Sequence, residues 1–339
     1  MMKQTSKWYA TALVILSLSL IPVNARDSGL SYNGDSPVPY ATSAEKNSSN
    51  LIPSPLVKLS GDTESYVLIV DKSQQKLMLY QYSGSLRCLK IFNCTTGLKS
   101  GNKQTNGDMK TPEGIYFFTN VWERMDLIKT YGRKEASQFG IRAFNLDYPN
   151  EADRIKRRNG FGIWLHGTDN EDRLKPENSR GCIVVSDADL AELTQYISLN
   201  KTPVIIVNEI SYSPTAILED QYMAVADFIE KWRKSWENRD YEAYEAAYSS
   251  SFKSGKMPFN RWITGKKQTL QKYNSISITF SNIKILKSAE YYVVEFFQEF
   301  RADTYRDTGI KRLYISNNGK KLEIINEIWE VLTTNNTSL

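Results

Sequence analysis

Leu165-His166-Gly167-Thr168 and, with its cysteine sixteen positions past the histidine, Ser179-Arg180-Gly181-Cys182-Ile183-Val184-Val185-Ser186 form the stretch on which fold and chemistry turn. Gly162-Ile163-Trp164-Leu165 and Ile183-Val184-Val185 are short apolar runs bounded by glycine and polar residues, the pattern of buried strands. His166 ends one strand and Cys182 starts the next, so neighbouring strand ends can bring imidazole and thiol within hydrogen-bond reach. A thiol nucleophile needs a base, and the base needs a group that orients it. His166 is the only histidine among 339 residues, so no other imidazole can serve. Singly, a histidine is more often a satisfied polar residue and a buried cysteine a small core side chain. The pairing points to Cys–His chemistry. Gly181 lets the backbone approach a substrate closely.

The surrounding sequence is strand-rich. Tyr66–Asp71 and Lys76–Tyr80 predict a hairpin, Ser85–Cys94 a third strand, Gly114–Phe118 a fourth and Pro203–Val207 a closing one. Between them Asp187–Ile197 reads as a helix capped by Ser186 or Asp187, with Leu190, Leu193 and Ile197 on one face. These elements predict a mostly β domain over residues 63–210. Residues 211–216 form a boundary. Val225, Ile229, Trp232 and Trp236 then recur at helical spacing, Asp240 can cap a second helix, and β segments follow at 276–286, 291–301 and 311–329. The last is broken by the turn Asn317-Asn318-Gly319-Lys320. The expectation is an α+β domain over residues 217–334.

Lys3 and Lys7 before the apolar run Ala10–Ile21, and the small residues closing Val23-Asn24-Ala25, read as a secretory signal over residues 1–25, cut after Ala25. Residues 26–62, with Pro37, Pro39, Pro53 and Pro55, read as a linker or loose arm. No other segment reaches transmembrane length, so no integral span is expected after cleavage. The formal charge of +5 falls to +3 (5 − 2) without the two leader lysines, too weak for a nucleic-acid footprint. Cys88, Cys94 and Cys182 are an odd number. On one strand, Cys88 and Cys94 would lie about 20 Å apart, beyond disulfide reach. A free thiol in an exported chain suggests reactivity.

The motifs resemble the L,D-transpeptidase catalytic domain of peptidoglycan enzymes. His166-Gly167-Thr168 is similar to its H-G motif and Ser179-Arg180-Gly181-Cys182 to its S-x-G-C motif. Thr96-Gly97 with Gly107-Asp108-Met109-Lys110-Thr111-Pro112-Glu113-Gly114-Ile115-Tyr116 is similar to its G-D-x-x-T-P-x-G-x-Y segment. The resemblance implies a β-sandwich-like fold, Cys182 as nucleophile, His166 as base oriented by the Gly167 carbonyl, and an oxyanion site at the Gly181 and Cys182 N–H groups. It implies an imidazolium that lowers the thiol pKa. Ser179, Arg180 and Thr168 are expected at the substrate. Many members carry His where Arg180 stands and Arg where Val184 stands. Asp108 and Thr111 are expected to be structural. Tyr131, Trp164 and Tyr148 are candidates to line the cleft, and Arg154, Lys156, Arg157 and Arg158 read as a solvated basic loop.

The second domain resembles the nuclear-transport-factor-2-like fold, with a scaffold, dimerisation or substrate-holding role. The combination resembles cell-shape-determining L,D-carboxypeptidases. It implies a periplasmic enzyme that trims D-alanine from the diaminopimelate centre of tetrapeptide stems, leaving tripeptides. One alternative is a transpeptidase making 3→3 cross-links or attaching lipoprotein. Another is a non-catalytic wall-binding protein. Expected partners are peptidoglycan stem peptides and, as one assembly, a second copy in a homodimer. No metal, cofactor or nucleic acid is expected.

Overall fold

Tyr66–Val70 has no polar face because both faces of its strand are covered. Val67 and Ile69 point into one core, and Leu68 and Val70 into another. The computed structural model describes residues 51–60, 64–255, 257–317 and 321–336. The expected leader, with its cut after Ala25, lies outside them.

In chain order the first strands are β1 (Leu51–Pro53), β2 (Ser65–Asp71), β3 (Lys76–Tyr82), β4 (Leu86–Asn93), β5 (Gly114–Glu123), β6 (Arg142–Leu146), β7 (Trp164–His166), β8 (Ile183–Val184), β9 (Pro203–Val207) and β10 (Tyr212–Pro214). Eight of them form one sheet in the order β4-β3-β2-β9-β5-β6-β7-β8. The β2–β9 and β7–β8 pairs are parallel and the others antiparallel. One core joins Leu68, Leu77 and Tyr116 to Phe144, Leu165, Ile183 and Leu190, so the sheet curls around it. Helices α1 (Arg124–Ala136), α2 (Glu151–Ile155) and α3 (Asp187–Leu193) fill the connections. Ser186 caps α3 through the Asp189 N–H, one of the two caps expected. The helix stops at Leu193 and a 3-10 turn continues to Tyr196. The sequence pattern did not show α1. Only Leu127 and Ala136 in it are buried and Gly132 breaks it, so it has no apolar stripe.

The second domain begins with α4 (Thr215–Glu237) and α5 (Tyr241–Ala246). The small hairpin β11 (Lys253–Ser254) and β12 (Met257–Pro258) leads to α6 (Phe259–Leu270), a helix the sequence reading lacked. An antiparallel meander follows: β13 (Ile276–Lys287), β14 (Tyr291–Ala302), β15 (Tyr305–Asn317) and β16 (Leu322–Asn336). Register shifts at Ser281/Lys284, Thr308/Gly309 and Tyr314/Ile315 bend it. One side of it packs on Val225, Ile229, Trp232 and Trp236 of α4.

Two expectations need correction. Residues 51–60 are not linker: β1 pairs with β10, Leu56, Val57 and Leu59 are buried, and Lys58 bridges to Ile285. Nor is Arg158 part of a solvated basic loop. Arg154, Lys156 and Arg157 are exposed, but Arg158 is buried and holds Glu290 by two 2.8 Å bonds.

The two domains share a core. Val67, Ile69, Met78, Ile115, Phe117 and Ile205 pack with Leu286, Tyr291, Val293, Tyr314 and Ile325. Strand β6 pairs with β5 only from Phe118 onward, so the outer backbone groups of Ile115 have no strand partner. The Tyr291 hydroxyl supplies one: it accepts from the Ile115 N–H (2.9 Å) and donates to the Ile115 carbonyl (3.2 Å). A chain lacking residues 217–339 exposes half of this core and should lose cooperative urea unfolding. Tyr291→Phe strands the Ile115 N–H, while the Ile115 carbonyl keeps the Asn150 amide at 3.1 Å, and should lower stability by about 1–3 kcal/mol, read as a lower urea midpoint at unchanged slope.

Candidate active site

Thr111 joins two of the three motifs. Its buried hydroxyl accepts from the Gly97 N–H and donates to the Gly181 carbonyl, both at 2.9 Å. The loop before it is set by Asp108, whose carboxylate takes N–H bonds from Gln104, Thr105 and Lys110 and an ion pair from Lys103 at 2.7 Å. Partial burial pushes the Asp108 carboxyl up, but the Lys103 ammonium and these N–H groups outweigh it and hold it down at about 2. Close approach explains two glycines. A Cβ on Gly97 would stand 2.3 Å from the Met109 carbonyl oxygen, and one on Gly181, at φ +126°, 2.8 Å from that of Lys110.

β7 and β8 run parallel, with Leu165 opposite Ile183 and His166 opposite Val184. Continuing one pair back sets Cys182 beside Trp164. Trp164, His166 and Cys182 therefore share one face, with His166 diagonal to Cys182 at about 7–8 Å between backbones, a gap an imidazole can reach across. His166 Nδ1 lies 2.9 Å from the Gly167 carbonyl oxygen. A carbonyl only accepts, so Nδ1 carries the proton and Nε2 is the free base. Phe139 stands edge-on to the imidazole, ring centres 5.3 Å apart, and packs on Trp164 at 4.8 Å. The Cys182 thiol is half-buried against this group and donates to the Gly162 carbonyl at 3.4 Å.

Burial depresses His166 to about 4, despite its bond to the Gly167 carbonyl, and Arg173 adds to the fall. Burial also pushes the Cys182 thiol up to about 11, against the Trp164 N–H and the charges of Arg173 and Lys103. Both shifts favour the uncharged forms, thiol and imidazole, and desolvation works against the imidazolium beside a thiolate that the sequence reading expected.

The other expected residues divide. The Ser179 hydroxyl donates to the Cys182 carbonyl at 2.6 Å and accepts from the Gly181 N–H at 3.1 Å. Ser179 therefore shapes the loop from within, and the Gly181 N–H expected at an oxyanion site is already engaged. Among the described residues the Cys182 N–H has no hydrogen-bond partner. Thr168, expected at the substrate, is buried and accepts from the Asn170 N–H. Arg180 is exposed at the rim. Trp164 and Tyr131 join the aromatic wall with Trp122 and Phe139, whereas Tyr148 packs on Tyr116 in the curled core. Among the described residues no cluster of His, Cys, Asp or Glu is arranged to hold a metal ion.

Asp187 was not singled out by the sequence reading except as a helix cap. Its Oδ1 accepts from the Ile141 N–H at 3.0 Å. A Cβ on Gly140 or Gly167 would stand 2.0 or 2.1 Å from that oxygen. The glycine after His166 is thus required by a carboxylate packed against it, and Asp187 fixes the backbone whose carbonyl holds the imidazole.

A curled strand-rich domain with an imidazole and a thiol on paired strand ends, followed by helices on a bent meander, defines a two-domain protein with a Cys–His site. The chain belongs to the L,D-transpeptidase catalytic-domain family of peptidoglycan enzymes. Residues 65–206 match that catalytic domain, and residues 224–328 match the Cds6 C-terminal NTF2-like domain. Bd1075 of Bdellovibrio bacteriovorus is 30% identical, over 84% of this chain and 99% of that one, with a TM-score of 0.71. The helical cell shape determining protein Pgp2 of Campylobacter jejuni is 26% identical, over 80% of this chain and 94% of that one, with a TM-score of 0.63. No curated protein matches.

Two outcomes test this geometry. Gly167→Ala should lower the unfolding midpoint by driving a methyl into Asp187. In an Asp187→Ala background the same change should cost less, a coupling that a double-mutant cycle measures. Iodoacetamide labelling of Cys182 should accelerate about tenfold per pH unit from pH 7 to 10, following the thiolate fraction. A plateau already below pH 8 would show an ion pair at rest.

Proposed function

We propose that this protein is an exported, periplasmic L,D-carboxypeptidase that removes the terminal D-alanine from tetrapeptide stems. The observation that carries this reading is the Cys182–His166 arrangement with Nδ1 held by the Gly167 carbonyl. Cys182 Sγ attacks the carbonyl carbon of the third, L-centred residue while its proton passes to His166 Nε2. The oxyanion forms at the Cys182 N–H, with Gly181 setting the approach. The intermediate collapses, the D-alanine amine leaves with the proton from His166, and a thioester remains. Water, deprotonated by His166, attacks the thioester, releasing the tripeptide and restoring the thiol. A neutral imidazole suits a base that takes the thiol proton as the bond forms. The likeness to a helical cell shape determining protein supports a role in cell shape. Among the described residues no helix is long and apolar enough to cross a membrane.

The NTF2-like domain fits a substrate-holding part. It carries a cavity of about 410 Å³ lined by Trp236, Trp262, Trp329, Lys266, Lys311 and Glu327. Lys311 is buried there, 3.6 Å from Glu327 and under the Trp329 ring. Aromatic faces with a lysine suit a sugar-peptide polymer bearing carboxylates.

Incubation with disaccharide-tetrapeptide, followed by mass spectrometry, should yield tripeptide and D-alanine only. Cys182→Ala should abolish release, and His166→Ala should lower kcat by about 10²–10⁴-fold. Cross-linked dimers as main product would replace hydrolysis by transpeptidation. A thiol inert to carbapenem and iodoacetamide would favour a wall-binding protein without catalysis.

A further inference from the structure

The bond cut in the proposed function lies one residue before a free carboxylate. A site acting there needs a fixed cation beside the nucleophile. Val184 cannot provide one, being apolar and buried in the strand ladder.

Arg173 lies on the 3-10 turn Glu171–Leu174, which spans the gap between the His166 and Cys182 motifs. The turn is tied to both. The Asn170 N–H donates to Thr168 Oγ1 (3.2 Å), the Asp172 N–H to Asn170 Oδ1 (3.0 Å), and Asn178 Nδ2 to the Asp172 carbonyl (3.0 Å). Arg173 Nη1 donates to the Gln138 carbonyl at 2.8 Å. Gln138 precedes Phe139, whose ring stands against His166. This contact ties the guanidinium to the residue before Phe139, and Arg173 as a whole is half-buried. Its charge reaches both reacting groups, lowering His166 and Cys182 beside the larger effect of burial. Among the described residues no carboxylate pairs with it, although Asp172 next to it pairs with Lys175 at 2.9 Å. One of its five donors is used. The remaining fork matches a carboxylate in two-point contact.

We propose that Arg173 binds the C-terminal carboxylate of the stem peptide and so restricts the enzyme to free-acid termini. This rests on the carboxypeptidase reading. A stem whose D-alanine is amide-linked to a neighbour lacks the carboxylate and is spared, so trimming is confined to uncross-linked stems.

The test compares kcat/KM of the full chain on disaccharide-tetrapeptide and on its C-terminal amide. The wild type should favour the free acid by about tenfold or more, the size of a charge-assisted bond. Arg173→Gln should bring the two within about twofold, chiefly by raising KM for the acid. Arg173→Lys should keep part of the preference, since charge remains and the fork is lost. Arg180→Gln, whatever it does to rate, should keep the preference. An Arg173→Gln enzyme that discriminates as the wild type does, or a wild type with no preference, overturns the assignment. If the wild type releases tripeptide from neither substrate, the carboxypeptidase reading falls and the assignment with it. Release from the acid with discrimination intact in Arg173→Gln removes only Arg173.

Discussion

A single buried hydroxyl, that of Thr111, ties together the segments that make the site. It links the Gly97 backbone to the Gly181 backbone, one residue from the thiol. These chain segments are far apart in sequence, and neither has enough strand of its own to be fixed by ladder bonds. β8 is only two residues long. The position of Cys182 therefore depends on side chains that bond backbone: Thr111, Ser179 and, behind them, Gln75, whose amide bridges Lys72, Thr96 and Glu177. Buried polar groups of this kind are favourable only when satisfied together. The Cys182 loop is accordingly held by side-chain bonds to backbone as much as by strand pairing.

The same enclosure sets the electrostatics. Taking an imidazole and a thiol out of water disfavours the charged form of each. Charge develops as reaction proceeds, when the proton moves and an oxyanion forms. Preformed donors then act on it in a place where water screens little. The aromatic wall of Trp122, Tyr131, Phe139 and Trp164 supplies that low-polarity surround.

The central strands of the catalytic sheet, β2, β3, β9 and the start of β5, are buried on both faces, and the second face is covered by the NTF2-like domain. Tyr291 stands in for a missing strand at Ile115, Arg158 grips Glu290, and the Arg312 guanidinium lies 3.5 Å over Phe117. Ile115 and Phe117 lie four and six residues past Thr111 along one chain segment. Packing of the second domain thus bears on the segment that clamps the thiol loop.

The order of elements, the strand-rich first domain, the Trp-lined helix and the His and Cys at strand ends were legible in the sequence. Those properties are local: periodicity, glycine placement and the singularity of one imidazole need no knowledge of distant neighbours. Helix α1 was not legible because few of its residues are buried at a regular spacing, whereas α6 carries Phe259, Trp262, Ile263 and Leu270 on one face and the sequence reading passed over it. The desolvation of His166 and Cys182, the engaged Gly181 N–H, the buried Thr168 and the Asp187 carboxylate behind Gly167 were decided by tertiary structure alone. So was the shared core, since a continuous apolar strand says that both faces are covered and not by what. Burial, and the partner of each polar atom, depend on chain segments far apart in sequence, and only folding brings those together.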